Sequence, residues 1–183
     1  MFEIDQFVAD CKAAMAQDSS YAAVREVVAK AVSEPSAVLK ALGEPTRAGL
    51  HRIYDSPELT IINLVWAPLM TIYPHDHRMW AVIGIYSGRE DNVFWRRTGS
   101  DKRRVEAAGA KSISERDAIP LGRDIIHSVT NPIPRMTAAI HVYGGDFFKA
   151  QRSDWDPESL CERPYSVERA VALFEAENAL ITA

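Results

Sequence analysis

The stretch PHDHRMWAVIGIYSG, residues 74–88, joins a pair of histidines to the most apolar run of the chain. Two of the five histidines, His75 and His77, stand in it with only Asp76 between them. In a β-strand, residues i and i+2 face the same side, about 7 Å apart at the backbone. This spacing therefore allows two imidazoles to approach one ion while Asp76 points away.

Short apolar, β-branched segments follow one another from about residue 51 onward. They are predicted as strands at 59–66 (LTIINLVW), 80–86 (WAVIGIY), 92–97, 103–107, 111–113, 127–129 and 136–143. Turn residues separate them, among them Ser87-Gly88, Ala108-Gly109 and Asn131-Pro132. Strands at this spacing without helices between them predict an antiparallel sandwich or barrel.

Both ends of the chain have helical periodicity. Apolar residues recur every three or four positions in 4–16, 21–32, 36–42 and 166–180, and Ser19 or Ser20 is the expected N-cap of the second helix. We predict one domain in three parts. These are an N-terminal helical region at 1–50 that packs on the barrel and covers one of its mouths, the barrel at 51–150, and a C-terminal tail with a helix at 151–183.

Composition narrows the class of protein. The net charge of −4 and the isoelectric point near 5.7 argue against a nucleic-acid binder. The sequence contains neither an apolar run long enough for a bilayer nor an N-terminal signal pattern. Cys11 and Cys161 lack CxxC spacing, which is typical of reduced thiols. We therefore expect a soluble cytoplasmic protein with neither nucleic acid nor membrane as a partner.

A third histidine could join the first pair. His127 follows a proline-glycine turn in PLGRDIIHSVTNP, residues 120–132, and an antiparallel neighbour could bring it beside His75 and His77. Each of these histidines could instead be a hydrogen-bonded core residue. Because histidine is the commonest metal ligand, the three taken together favour a metal site.

The remaining histidines differ in context. His141 lies in AAIHVYGGD, residues 138–146, with Tyr143 two positions on and therefore on the same strand face. A core role and a functional role for His141 are both open. His51 stands at the end of the helical section, where an ordinary structural role is expected.

These motifs resemble a known superfamily. PHDH, a strand ending near Gly88, then Gly109, and Pro120-Leu121-Gly122 followed by His127 and Asn131 look like the two characteristic motifs of the cupins. The resemblance implies a mainly β fold, the double-stranded β-helix or cupin jelly-roll barrel, with N-terminal helices and a short C-terminal helix.

One glutamate of the usual first cupin motif is absent from this chain, so the chain resembles a smaller group of cupins. The usual first motif has a glutamate separated from its second histidine by three or four residues, and this chain has Ala81 and Val82 there. Three histidines without that glutamate, IHSV around the third, and the strand end HVYGGD are similar to the cysteine dioxygenase-type thiol dioxygenases and their bacterial relatives. The resemblance covers about residues 50–148.

The resemblance implies roles for individual residues. His75, His77 and His127 become the metal ligands, with Fe(II) as the expected ion and Zn or Ni as alternatives in purified protein. His141 and Tyr143 become the catalytic pair, with the tyrosine hydroxyl facing bound substrate and oxygen.

The substrate-binding residue is harder to assign. In the family an arginine just before the first barrel strands holds the substrate carboxylate. Arg52 is the best-placed candidate, with Arg47 behind it, although neither belongs to a clear motif.

This chain departs from the thiol dioxygenase pattern at two positions. One concerns the hydrogen bonds that lead from the tyrosine through His141, and the other concerns the substrate. The thiol dioxygenases have a serine two residues before the histidine that corresponds to His141, and this chain has Ala139 there. Thr137 lies on the same strand face and could take the place of the serine. The cysteine that cross-links to the tyrosine in some members is absent, which puts cysteine as the substrate in doubt. Asp76, Asp124 and Glu90 are candidate partners of the ligand imidazoles, although surface solvation is the expected fate of each.

The sequence thus predicts a mononuclear non-haem iron dioxygenase-like protein. It would oxidise a small organic molecule, with thiols among the candidates, using O2. Two alternatives stay open: a C–C bond-cleaving three-histidine dioxygenase that needs no carboxylate-binding arginine, and a non-catalytic cupin that senses a metal or ligand. The resemblance also suggests a homodimer.

Overall fold

The computed structural model describes residues 1–18 and 20–181, and in it helices at both ends flank a run of strands. The helices are α1 Ile4–Gln17, α2 Ala22–Val32, α3 Pro35–Leu42 and α4 Val167–Ile181. The strands are β1 Gly49–Asp55, β2 Thr60–Trp66, β3 Thr71–Asp76, β4 Ala81–Ser87, β5 Arg89–Thr98, β6 Arg104–Ser114, β7 Ala118–Leu121, β8 Ile126–Thr130, β9 Thr137–Tyr143, β10 Ser153–Trp155 and β11 Glu162–Pro164.

The strand order of two antiparallel sheets establishes the fold. One sheet runs β1-β2-β9-β4-β7 and the other β11-β10-β3-β8-β5-β6. Without the outer strands β1, β10 and β11, each sheet keeps four strands, and the chain passes from sheet to sheet in the order of two Greek keys. This is the jelly-roll order, the double-stranded β-helix of cupins. The predicted fold class is confirmed.

One predicted turn is wrong. The Ala108-Gly109 pair was expected to separate two strands, but β6 continues through it. The register with β5 shifts between Phe94 and Trp95, which pair with Gly109 and Ala107. Ala108 is therefore the extra residue of a β-bulge, and the glycine accommodates a local kink rather than a reversal.

Alternate residues of the five-stranded sheet supply two separate cores. Inward-facing side chains such as Leu64, Ala139 and Tyr143 join the barrel core. Outward-facing side chains such as Val65 and Ile140 join a second core beneath the helices. Because both faces are buried, β2, β4 and β9 have continuous rather than alternating apolar sequences.

The N-terminal helices cover the outer face of this sheet rather than a barrel mouth. At Gly84 in β4 an added Cβ would lie 2.4 Å from Val28 Cγ1 and 2.9 Å from Val32 Cγ1, so α2 packs directly on the glycine backbone. No helix among the described residues is long and apolar enough to cross a membrane. Of the two expected N-cap serines, Ser19 lies outside the described residues, and Ser20 is not the N-cap, because Tyr21 holds that position. The Ser20 hydroxyl still accepts the Ala22 backbone N–H at 3.2 Å.

The C-terminal helix lies against the barrel interior instead. The Phe174 ring of α4 packs 5.5 Å from that of Trp66. The Asn178 side-chain amide accepts the Ala48 backbone N–H and donates to the Ala48 carbonyl oxygen, both at 2.9 Å. These contacts fix α4 beside β1 and place Phe174 in the wall of the central cavity.

Candidate metal centre

Three histidine side chains converge inside the barrel. His75 in β3 pairs directly with His127 in β8, and His77 follows two residues after His75, just beyond the end of β3. His77 Nε2 lies 3.2 Å from His75 Nε2 and 3.3 Å from His127 Nε2. One ligand atom from each residue lies within 4.8 Å of the others, so the group could hold a metal ion.

A β-bulge in β3 sets the orientation of His75 and His77. The β3–β8 register shifts between Ile72 and His75, at the position of Pro74, a residue that strands tolerate mainly at bulges and edges. Asp76 points the other way, as the spacing predicts. Its carboxylate accepts the Ser153 backbone N–H at 2.8 Å and pairs with Arg78 Nε at 2.9 Å, so it is not a partner of an imidazole.

Hydrogen bonds to the far ring nitrogens orient two of the ligands. His75 Nδ1 donates to the Tyr73 carbonyl oxygen at 3.0 Å, and His127 Nδ1 donates to the Asn92 side-chain oxygen at 2.8 Å. Each Nε2 is therefore left with a lone pair aimed at the centre. Such partners fix the tautomer and the ring orientation of metal-ligating histidines.

The three imidazoles are buried and uncharged. Burial lowers the pKa of His75 to about 3, and burial also holds the pKa values of His77 and His127 well below their usual range. Neutral imidazole is the form that binds transition metals. Nitrogens that share one ion at about 2.0–2.1 Å lie about 3–3.5 Å apart, so the observed spacing fits a metal centre.

The cavity at the histidines is small and mostly apolar. Its volume is about 20 Å³, enough for about one water-sized group. Its lining consists of the three histidines together with Leu50, Leu64, Trp66, Ile72, Val129, His141, Tyr143, Phe147, Tyr165 and Phe174. In this conformation the cavity is too small for a drug-sized ligand.

The predicted catalytic pair is adjacent to the histidines. The Tyr143 ring lies 5.0 Å from the His77 ring, and the Tyr143 hydroxyl lies 3.0 Å from His141 Nδ1. Burial raises the pKa of Tyr143 well above its usual range, so its hydroxyl stays protonated. The structure therefore brings five of the six predicted site residues together.

The side-chain partner of His141 Nε2 is an acidic residue from the opposite sheet. Glu90, expected to be solvated, is fully buried, and its Oε1 lies 3.4 Å from His141 Nε2. Thr137 does not substitute for a serine, because its hydroxyl bonds to Asn131 and to the Arg89 backbone. Asp124 is exposed, as expected.

The predicted substrate-binding residue, Arg52, is not brought to this cavity. It lies in β1 with an exposed side chain, pairs with Asp55 at 3.0 Å and stacks 4.1 Å above the Phe148 ring. β1 is the edge strand outside β2, and Arg52 is not among the residues that line the cavity at the histidines.

A different arginine, missed by the sequence analysis, lies beside the cavity. Arg152 is only 6 % exposed, and its guanidinium stacks 4.1 Å from the centre of the Phe147 ring and 3.4 Å from that of Tyr165. Its Nη1 donates to the Asp76 carbonyl oxygen at 3.3 Å, whereas Nε and Nη2 have no hydrogen-bond partner among the described residues.

The position of Arg152 follows from a very short strand. Arg152 immediately precedes β10, in which Asp154 pairs with His75 of β3. Three residues of strand give no detectable periodicity, and an arginine in a polar tail has no sequence signal of its own. Asn92, the partner of His127, also has no distinguishing motif.

Comparison with known proteins supports no assignment finer than the fold. No protein-family model matches the chain. Similar solved structures include an RmlC-like cupin family protein with a double-stranded β-helix fold from Methanocaldococcus jannaschii (10% identity, 57% of this chain and 84% of that chain, TM-score 0.46). Another is a conserved protein with a double-stranded β-helix domain from Klebsiella pneumoniae (12% identity, 61% and 81%, TM-score 0.46). A third is Bacillus subtilis oxalate decarboxylase, described with Mn(II) centres (15% identity, 51% and 23%, TM-score 0.40).

Proposed function

We propose that this protein is a mononuclear non-haem iron dioxygenase of the thiol dioxygenase type, acting on a small thiol that carries a carboxylate. The observation that carries the proposal is the convergence of three histidine Nε2 atoms in a group that, within residues 1–18 and 20–181, includes no carboxylate. Three neutral imidazoles leave a divalent ion its full charge, which favours an anionic substrate such as a thiolate.

Each residue around the centre has a part in this proposal. His75, His77 and His127 would hold Fe(II), which when bound supplies the redox chemistry that joins dioxygen to the substrate. The Tyr143 hydroxyl offers a hydrogen-bonding group at the cavity wall, and the Phe147 and Phe174 rings keep bulk water from the histidines.

Arg152 supports an acidic substrate. A guanidinium binds a carboxylate through two parallel hydrogen bonds. A buried guanidinium with two unpartnered nitrogens is costly unless an acceptor reaches it. A substrate carboxylate would provide that acceptor. Because the cavity holds about 20 Å³, we expect the half-buried Tyr165 ring to move when substrate enters.

The direct test combines metal analysis with oxygen consumption. Protein purified without oxygen is analysed for metal, reconstituted with Fe(II), and assayed in an oxygen electrode with 3-mercaptopropionate, cysteine and a β-diketone. We expect oxygen uptake with a mercapto acid and a product that carries both oxygen atoms. Stoichiometric zinc, with no oxygen uptake after iron is restored, would count against the proposal.

Two arginine variants test the carboxylate site. Loss of a charge-assisted hydrogen bond costs about 1.5–3 kcal/mol, so Arg152→Gln should raise KM by about 10–100-fold. Arg52→Ala is the matched control and should leave KM unchanged, because Arg52 lies outside the cavity. An unchanged KM in Arg152→Gln, or equal effects of both variants, would refute this role.

One observation favours a second candidate. A cavity of only about 20 Å³ also suits a protein that only holds a metal ion, as a non-catalytic sensor would. Such a protein would bind metal stoichiometrically and consume no oxygen with any tested substrate. A C–C bond-cleaving enzyme would instead consume oxygen with the β-diketone, and Arg152→Gln would leave that reaction unaffected.

Three further features belong to this proposal as predictions. They are Fe(II) as the resident ion, a homodimer and a cytoplasmic location. Metal analysis, analytical ultracentrifugation and cell fractionation are their respective measurements.

A further inference from the structure

A buried chain of hydrogen-bonding groups leads away from the metal centre across the barrel. It runs from the Tyr143 hydroxyl to His141 Nδ1 at 3.0 Å, and from His141 Nε2 to Glu90 Oε1 at 3.4 Å. Trp66 Nε1 donates to the same Glu90 oxygen at 2.6 Å. Trp66 and His141 come from β2 and β9 of one sheet and Glu90 from β5 of the other, so the contact links the two sheets.

With Glu90 ionised and His141 neutral, the donors and acceptors in this chain have one consistent arrangement. The Trp66 indole can only donate, so Glu90 Oε1 accepts from it. A carboxylate oxygen that faces His141 Nε2 calls for a hydrogen on that nitrogen. In a neutral imidazole the other nitrogen, Nδ1, then has only a lone pair and accepts the Tyr143 hydroxyl hydrogen. The hydroxyl hydrogen points away from the histidine cluster, and the phenolic oxygen offers lone pairs to the cavity.

The strand that carries His141 supplies no alternative partner. Ala139, two residues before it on the same face, has no hydroxyl, and the Thr137 hydroxyl is engaged with Asn131. Glu90 is fully buried, and its second oxygen, Oε2, has no partner in the described part of the chain. A buried carboxylate is expensive, so its retention here points to a role other than stability.

We infer that Glu90 is a positioning residue that fixes the tautomer of His141 and thereby turns the Tyr143 hydroxyl into a hydrogen-bond acceptor toward the metal cavity. An acceptor at this point suits a bound molecule that brings its own donor hydrogen. The consequence for turnover rests on the function proposed above; the tautomer itself does not.

Nitrogen-15 NMR of histidine-labelled protein tests the tautomer directly. His141 is assigned from the resonance missing in His141→Gln. We expect Nε2 to carry the hydrogen in the wild type and in Glu90→Gln, whose side-chain oxygen still faces both donors. Glu90→Leu removes the acceptor, so both tautomers should appear. Trp66→Phe is the matched control: it removes the other donor to Glu90 and should leave the His141 tautomer unchanged.

Two results would overturn the inference. One is a wild-type His141 with its hydrogen on Nδ1, and the other is an unchanged tautomer in Glu90→Leu. Glu90→Leu leaves the buried Trp66 and His141 donors without an acceptor and should therefore lower the stability of the protein. If it does not fold, the wild-type spectrum alone still decides.

Turnover provides a second, separable readout. If the oxygenase proposal holds, Glu90→Leu should lower kcat by about 10-fold or more with metal content and KM little changed, while Glu90→Gln restores most of the rate. If neither the wild type nor either Glu90 variant consumes oxygen, the oxygenase proposal fails, and the NMR result still confirms or refutes the role of Glu90.

Discussion

The two faces of the five-stranded sheet have different chemistry, although the same strands build both. On the outer face, Val65 and Ile140 pack beneath the helices in a mostly apolar layer. On the inner face, the neighbouring Trp66 and His141 take part in a buried polar chain that ends at the metal centre. Under the function proposed above, the outer face serves stability and the inner face serves the site, a division that substitutions can test.

The largest effect is expected from a glycine on the outer face. Gly84→Ala places a Cβ 2.4 Å from Val28 Cγ1 and should lower the free energy of unfolding by about 2–3 kcal/mol through overpacking. Gly109→Ala is the matched control, since its Cβ would have no neighbour within 4 Å. Urea denaturation measures both. Equal stability of the two variants would contradict direct packing of α2 on β4.

Metal removal should act only through the inner face. A ligand that binds the folded state stabilises it by about 2.7 kcal/mol at 100 times its dissociation constant. Fe(II) under anaerobic conditions, or Zn, should therefore raise the melting temperature of the wild type and of Gly84→Ala, but not of His127→Ala. His51→Ala, at an exposed position, is the control and should respond like the wild type. A metal response in His127→Ala would show that the ion binds elsewhere.

Substitutions at two asparagines, one on each side of this comparison, should have different effects. Asn92→Ala removes the acceptor for His127 Nδ1 and should weaken metal binding by about 10–100-fold, measured by competition with a chelator. Asn63→Ala removes the acceptor for the outer-face Tyr86 hydroxyl and should cost about 1 kcal/mol of stability with metal affinity unchanged. Similar metal affinities in the two variants would remove the distinction.

The smallest effect involves an ion pair remote from both faces. Arg97 holds the pKa of Glu162 at about 2, below its usual 4.5. Since the folded-state pKa is the lower one, this stabilisation is present above pH 4.5 and is lost as the pH falls from 4.5 toward 2. Arg97→Gln should remove about 1 kcal/mol at pH 7 and flatten the acid dependence over that window. Thermal melts at several pH values measure it, and metal affinity should not change.

The barrel and the histidine cluster could be predicted because both follow local rules. The two-residue spacing of His75 and His77 places them on one side of a strand, and turn residues mark most strand ends. To predict that His127 joins this pair, only one further assumption was needed, namely that its strand is an antiparallel neighbour of the strand with His75. Gly109 misled the prediction because a glycine inside a strand can mark either a turn or a bulge.

The positions of two charged residues near the cluster could not be predicted, because they reach it across long sequence distances. Arg152 immediately precedes a three-residue strand and contacts the cavity-wall residues Phe147 and Tyr165, and Glu90 meets His141 from the opposite sheet. Both are charged residues in polar stretches, where exposure is the usual outcome. The helices gave no sign of which barrel surface they cover, since periodicity identifies an apolar face but not its partner.

The docking of α4 has a consequence for how fast a metal ion can exchange. Phe174 forms part of the wall around the histidines, and α4 is attached to the barrel through Asn178 and the Ala48 backbone. A chelator that approached a bound ion from this side would need Phe174 and α4 to move. The release rate would then report the opening of a helix, whereas the equilibrium affinity would report the imidazoles, so the two quantities could be tuned independently.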